Sequence, residues 1–332
     1  MADTIRTIGF VGTGIMGAPI AGHLMDAGYD LVVYNRTQSK ADGLVARGAK
    51  RAMTPAEAAR TADVVFTMVG YPTDVEDVYL GSDGILDAAP KGAWLIDLTT
   101  SSPTLAKEIH DAAEVVGKHA FDCPVTGGQS GAEAGTLTLI VGATEAEIAP
   151  VRPVLEAFSS KIFCFGGAGK GQAAKLCNQV SLASCMVGMA DAIGLAEVSG
   201  LDVDEMLDMV GAGMGGSRAM HDLAPKSVAH DWAPGFLVEH LRKDLGLAID
   251  EADENGLTLP GAETAYSLYD AICDLGGSRL GTQALTLLYE EPEVGEAAGL
   301  DWSALDDEDD SADADDAADA AGDADDAGSD KA

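Results

Sequence analysis

Short apolar runs and amphipathic stretches alternate along the first half of the chain. Ile5, Ile8, Phe10 and Val11 make the first run, followed by Leu31–Tyr34, Asp63–Val69, Trp94–Asp97 and His119–Asp122, with Leu137–Val141 and Ile162–Phe165 after them. The run at 63–69, DVVFTMV, has almost no polar break, as a strand covered on both faces of a parallel sheet requires. Helical patterns separate the runs. One passes Pro19, Leu24 and Met25 to Gly28, one covers Ser39–Arg47, one starts at Thr54-Pro55, and one is capped by Ser102 before Pro103 and runs to Val116. Tyr71-Pro72-Thr73 ends the third apolar run. This alternation predicts an α/β fold with a doubly wound parallel sheet. From Gly169 onward the pattern is helical only. Gly171–Ser199 contains no proline and would span about 45 Å as one helix. Further helices are expected at Leu201–Val210, Leu237–Glu254, Ala262–Leu275 and Thr282–Tyr289.

The stretch GFVGTGIMG at 9–17 joins the first run to the first helix. Strand, glycine turn and helix are the setting in which GxGxxG has a physical meaning. Gly12 permits the tight turn, Gly14 lets the backbone approach a pyrophosphate, and Gly17 lets the helix pack near the strand. The turn from Gly12 through Thr13, Gly14, Ile15 and Met16 to Gly17 is therefore expected to bind a dinucleotide at a helix N-terminus. A glycine-rich turn without a ligand is the plainer alternative. The expected organisation is a dinucleotide-binding Rossmann domain at 1–165, an all-helical substrate and oligomerisation domain at 166–290, and an acidic tail at 291–332. Residues 306–332 are almost exclusively Asp, Ala, Gly and Ser and are expected to be disordered.

Charge changes the picture more than length does. The 332 residues carry 55 acids against 20 bases, a net charge of −35. Residues 301–332 hold fourteen acids and one base, so most of the excess lies in the body of the chain. Such a chain would repel nucleic acid and anionic membranes. With only 11 lysines, it also suits a cytoplasm at molar salt, where the Debye length is about 3 Å. MADTIRT lacks a cationic start followed by a long apolar core, and a cytoplasmic location is expected. The apolar stretch Val180–Leu195 contains Asp191 and is followed by Glu197, so it is read as a buried helix and not a membrane span. Cys123, Cys164, Cys177, Cys185 and Cys273 are scattered and form no CxxC; they read as reduced thiols, and no metal site is expected.

Four further stretches carry candidate chemistry. At the end of the second run, 21 positions after Gly14, stand Asn35, Arg36 and Thr37. An acid there would bind a ribose 2′-OH. Arg36 can instead pair with a 2′-phosphate, with Asn35 and Thr37 adding hydrogen bonds, which favours NADP over NAD. An ordinary surface base is the alternative for Arg36. DLTTSSP at 97–103 places four hydroxyls after a strand end, where a helix cap needs one. DCPVTGG at 122–128 could hold a substrate carboxylate on the Thr126 hydroxyl and the Gly127 and Gly128 N–H groups, or form a tight turn. GQAAKLCNQ at 171–179 sets Lys175, Asn178 and Gln179 on one helix face. A lysine there can exchange the proton of an alcohol or carbonyl if burial tunes it, with the two amides orienting the substrate. A solvent-exposed lysine is the alternative. Lys243-Asp244, in an amphipathic helix, says little alone.

Taken together, GFVGTGIMG, NRT, DLTTSSP, DCPVTGG, GQAAKLCNQ and RKDLGLA resemble the β-hydroxyacid dehydrogenase family over residues 5 to about 290. The resemblance implies hydride transfer between NAD(P) and a small 3-hydroxy acid, 3-hydroxyisobutyrate being favoured. It implies Lys175 as the catalytic lysine, aided by Asn178. Thr99, Thr126, Gly127, Gly128 and Gln179 would face the substrate, and Val69, Asp74, Thr100 and Lys243 the cofactor. The family often has Ser at the places of Thr99 and Thr126 and a second Asn at that of Gln179. Gln179 is more similar to the tartronate semialdehyde reductases, so reduction of that or a related short semialdehyde such as glyoxylate is the second expectation. A non-catalytic cofactor-binding interaction protein, working through its acidic tail, is the expectation from another class. The apolar helix at 171–199 predicts a homodimer or homotetramer.

Overall fold

A computed structural model describes residues 5–304. Among them a six-stranded parallel sheet is built from β1 (Thr7–Val11), β2 (Asp30–Tyr34), β3 (Lys50–Arg51), β4 (Val64–Thr67), β5 (Trp94–Asp97) and β6 (His119–Asp122). Their order across the sheet is β3-β2-β1-β4-β5-β6, every neighbouring pair parallel. The fold is thus the expected Rossmann-type α/β domain with a helical C-terminal part. The apolar runs explain the sheet directly. All four residues of β4 are buried, and Ile8, Phe10, Phe66 and Ile96 sit in a core shared with Ile20 and Leu24 of the first helix. The opposite face packs Val65 and Leu95 against Val75, Tyr79, Ile85 and Ile109.

Three details differ from the sequence expectation. The last two apolar runs leave the parallel sheet: β7 (Val125–Thr126), β8 (Leu137–Val141) and β9 (Ser159–Cys164) form a separate mixed sheet, with β7 antiparallel and β9 parallel to β8. Apolar runs specify strands but not which sheet they join. The stretch 39–47 is not one helix but a 3-10 turn at Gln38–Ala41 followed by a short α-helix at Asp42–Ala46. Thr282–Tyr289 is 3-10 and not α-helical.

The chain divides into two compact units that do not follow residue 165. The first contains residues up to Ser184 and adds His240–Thr264, and the second contains Cys185–Glu239 and the residues from Ala265. The long helix is observed at Lys170–Val198, and its first half belongs to the first unit. Its length and composition would let it cross a membrane, but Gln172, Lys175 and Gln179 are buried on it together with apolar residues, as in a core helix. In the second unit, helices at Val203–Gly211 and Arg218–Val228 accompany the rest of it. The second of these is hidden in the sequence because Pro225 interrupts its pattern. Tyr269 donates its hydroxyl to the Thr282 carbonyl and Ser227 to that of Gln283, which ties the 3-10 segment down. A further helix, Pro292–Ala298, lies beyond the boundary expected at 290, with Trp302 donating its indole N–H to the Pro292 carbonyl. The disorder expected of residues 306–332 falls outside the described residues.

Candidate functional site

The order of the sheet reverses between β1 and β4, and ligands bind at the carboxyl ends of strands at such a switch point. The loops leaving the carboxyl ends of β1, β2, β4 and β5 hold Gly12–Gly17, Asn35–Thr37, Val69–Asp74 and Thr99–Ser101. All four belong to the first unit, as do Lys175, Asn178, Gln179, Lys243 and Asp244.

The glycine turn passes a direct test of fit to a dinucleotide. Gly12 has φ +97°, and a side chain there would run into the Met68 carbonyl; one at Gly17 would run into the Gly12 carbonyl. These two glycines are demanded by the protein itself. Gly14 is not, since a Cβ there would meet nothing within 4 Å. The space belongs to whatever binds. The Thr13 hydroxyl is buried with no hydrogen-bond partner. The helix Gly17–Asp26 has neither a side-chain cap nor an acid in its first turn, so no side chain occupies the positive end of its dipole, which can face a phosphate. Ile15 is exposed and Met16 half-buried on the same turn.

Asn35 is tied into the glycine turn. Its Oδ1 accepts the Thr13 N–H at 2.8 Å and its Nδ2 donates to the Thr37 carbonyl at 2.9 Å, so the amide braces the glycine turn. Arg36 is exposed and pairs at 3.0 Å with Asp74, whose other oxygen accepts the Tyr71 N–H. Thr37 is exposed, with no side-chain cap to the turn it precedes.

The hydroxyl loop is held from several sides. Thr99 Oγ1 accepts the Val69 N–H at 3.0 Å. Lys243 Nζ donates to the Thr100 carbonyl at 2.6 Å. Gln172, fully buried in the first turn of the long helix, accepts the Ser101 N–H at 2.9 Å and donates to the Thr99 carbonyl at 2.7 Å. Beneath lies Asp97, accepting the Thr67 hydroxyl at 2.7 Å and the Thr99 N–H at 3.1 Å. Burial pushes its carboxyl up to about 6, against those hydrogen bonds. Asp122 receives the N–H groups of Gly169 and Gln172 at 2.8 and 2.7 Å, so a buried carboxylate caps the long helix; burial raises its pKa despite those bonds.

Lys175 lies one turn beyond Gln172 and is buried. Burial brings its ammonium down to about 8; Asp244 opposes the shift and Lys243 adds to it. Asp244 is itself buried, lies 3.0 Å from Lys243, and accepts Gln179 Nε2 at 2.6 Å, while Asn178 donates to Gln179 Oε1 at 2.8 Å. A lysine amine near neutrality, flanked by oriented amides, can give or take a proton from an alcohol oxygen. Thr126 pairs across the small sheet with Thr138, and Gly127 and Gly128 follow with φ of +130° and +62°. Among the described residues, no hydrogen bond of theirs reaches the Lys175 network. Among the described residues no three His, Cys, Asp or Glu side chains gather as a metal would need.

Gln172, Asp97, Asp122 and Asp244 do not stand out as site residues in the sequence. Two of them carry a signal there: WLID and HAFD are apolar strands that each close on an acid, and an acid at such a place is costly unless hydrogen-bonded. Gln172 carries none.

The switch-point glycine turn, the cradle open at Gly14 and the buried lysine define an NAD(P)-dependent oxidoreductase on a Rossmann fold. Comparison with known proteins gives the family. Residues 7–166 match the NAD binding domain of 6-phosphogluconate dehydrogenase, and residues 169–289 the NAD-binding domain of NADP-dependent 3-hydroxyisobutyrate dehydrogenase. A mitochondrial 3-hydroxyisobutyrate dehydrogenase-like protein of Arabidopsis thaliana is 42% identical over 284 residues, 85% of either chain. The NAD-dependent L-serine dehydrogenase of Pseudomonas aeruginosa is 38% identical over 293 residues, 86% of this chain and 98% of the relative. The structure of Mycobacterium tuberculosis 3-hydroxyisobutyrate dehydrogenase with L-serine superposes with a TM-score of 0.79 at 35% identity, covering 86% of this chain and all of the other. The chain belongs to the β-hydroxyacid dehydrogenase family and is an NAD(P)-dependent hydroxyacid dehydrogenase.

Proposed function

We propose that the protein interconverts 3-hydroxyisobutyrate and its semialdehyde with NADP, Lys175 exchanging the hydroxyl proton. The observation that carries this is the buried Lys175, brought down to about 8 and set in the Gln179–Asp244–Lys243 cluster. The dinucleotide supplies the hydride acceptor or donor. The chain supplies the rest. The turn Gly12–Gly17 takes the pyrophosphate. Thr100 and Lys243 hold the loop that faces the nicotinamide half, with Val69 and Asp74 beside it. Thr126, Gly127 and Gly128 bind the substrate carboxylate, with Thr99 bounding the pocket. Asn178 and Gln179 orient the hydroxyl; neutral Lys175 removes its proton in oxidation, and the Lys175 ammonium returns it in reduction.

Support for the substrate comes from the 3-hydroxyisobutyrate dehydrogenases among the relatives; L-serine, named with two of the proteins above, is likewise a 3-hydroxy acid. NADP is favoured because β2 is followed by Arg36 and no carboxylate occupies 35–37. The acidic surface suits activity at molar KCl in a cytoplasm, and the exposed Leu195 and Val198 on the long helix suit a homodimer or homotetramer.

The test is a panel of initial rates with NAD or NADP against 3-hydroxyisobutyrate, L-serine, glycerate and tartronate semialdehyde. The highest kcat/KM is expected for 3-hydroxyisobutyrate with NADP; a preference for tartronate semialdehyde would overturn the substrate. Lys175→Ala is expected to lose about 10²- to 10⁴-fold in kcat while keeping dinucleotide affinity. Turnover retained in that variant would overturn the mechanism.

A further inference from the structure

We infer that Gln172 is a positioning residue of the reaction, a buried clamp that sets the hydroxyl loop at a fixed place relative to Lys175. The inference rests on the role given to Lys175 above. Gln172 is fully buried, and both ends of its amide are engaged: Oε1 accepts the Ser101 N–H at 2.9 Å and Nε2 donates to the Thr99 carbonyl at 2.7 Å. Its own N–H goes to Asp122 at 2.7 Å. The residue therefore joins two parts that the chain brings from far apart: the end of β5 and the start of the helix that carries Lys175 three positions later.

The helix does not depend on this amide for its place. Asp122 fixes its first turn through Gly169 and Gln172 backbone N–H groups, which any side chain at 172 leaves intact. The loop does not depend on it alone either, since Val69, Lys243 and Asp97 hold Thr99 and Thr100. What the Gln172 side chain supplies is a direct hydrogen-bonded tie between them, and with it their register. A reacting pair is sensitive to such a register, because a misplacement of about 1 Å can cost roughly 100-fold in rate. The pyrophosphate end of the dinucleotide site, at Gly12–Gly17, follows another strand and would be left as it is.

Two variants of the full-length enzyme test this. Gln172→Leu keeps the bulk and removes both side-chain hydrogen bonds. Its single-turnover rate of hydride transfer, at saturating dinucleotide and substrate, is expected to fall about 10- to 100-fold. The affinity for the reduced dinucleotide, read by its fluorescence, is expected to stay within about threefold of the parent. A merely structural role would lower the amplitude of the single turnover, reporting fewer active molecules, and leave its rate constant alone; that result overturns the inference, as does an unchanged rate and amplitude. Gln172→Glu serves where the leucine variant does not fold. Its protonated carboxyl offers the same donor and acceptor as the amide, so the rate is expected to match the parent at low pH. It should fall as the carboxyl ionises and loses the O–H that meets the Thr99 carbonyl. A glutamate variant with the parent's pH profile throughout overturns the inference. Failure of the Lys175 role is visible separately, as turnover retained in Lys175→Ala whatever the Gln172 variants do.

Discussion

The glycine turn and the lysine cluster lie in the same compact unit and are made in opposite ways. The turn is backbone: consecutive residues, two of them glycine because carbonyls of Met68 and Gly12 leave no room for a side chain. The cluster is side chains: Gln172, Lys175 and Gln179 from one helix, Lys243 and Asp244 from another sixty-odd positions later, and the hydroxyl loop from β5. The turn binds by shape and fixed dipoles, which no neighbour can alter much. The cluster acts through a pKa that exists only because burial, Asp244 and Lys243 are present together. A local site is specified by its own few residues, whereas a tuned site is specified by whatever packs around it.

Single alanines within the turn give the largest effects and test the first half of that contrast. Gly12→Ala puts a side chain at φ +97° against the Met68 carbonyl, and Gly17→Ala one against the Gly12 carbonyl. Each is expected to cost about 3 kcal/mol or more of stability, read by thermal or chemical unfolding. Gly14→Ala faces open space within the protein. It should unfold as the parent does and bind dinucleotide roughly 10-fold more weakly or worse, since the methyl stands where the pyrophosphate comes close. Equal destabilisation at all three positions would break the separation of fold from binding within this one turn.

The same contrast explains what can be read from the chain. The strands of the parallel sheet, the turn and the order of the site loops follow from local pattern, so their existence and place are legible in GFVGTGIMG and the apolar runs. Arg36 is legible as a residue, but its pairing with Asp74 joins positions 38 apart and is not. Asn35 is legible as a residue after β2, but its bond to the Thr13 N–H, 22 positions back, is not. Gln172 leaves no trace, since a glutamine in the first turn of a helix is ordinarily a solvated residue. Lys175 is legible as a candidate from the face it shares with Asn178 and Gln179, and the family resemblance adds its role; its burial does not follow from helix periodicity.

The cluster can be sharpened by removing one charge. Asp244 opposes the depression of the Lys175 pKa, so Asp244→Asn should lower it further. Oxidation needs the neutral amine and rises with pH through the Lys175 pKa, which stands at about 8 in the parent. In the variant that limb should move about one unit to lower pH, and the mirror limb of reduction with it. The amide introduced by this substitution retains an oxygen for Gln179, so the hydrogen-bonded chain is kept while the charge is not. A limb that stays where it was would mean that Asp244 positions Gln179 and does not tune Lys175.

The smallest expected effect lies where the two kinds of site meet, at the Arg36–Asp74 pair. The guanidinium is 85% exposed and the carboxylate 24%, at 3.0 Å. An exposed pair of this kind contributes about 0–1 kcal/mol. Asp74 occupies the guanidinium that a 2′-phosphate would take, so Asp74→Asn should free Arg36 and tighten binding of 2′,5′-ADP by about fivefold, the size of such a pair. Binding of 5′-AMP, which has no 2′-phosphate, should not follow. Calorimetric titration with the two nucleotides, neither of which reaches Lys175, reads the effect without turnover. A change confined to 5′-AMP would mean that Asp74 serves the ribose itself, and the turn's neighbour would then be a tuned residue rather than a fixed one.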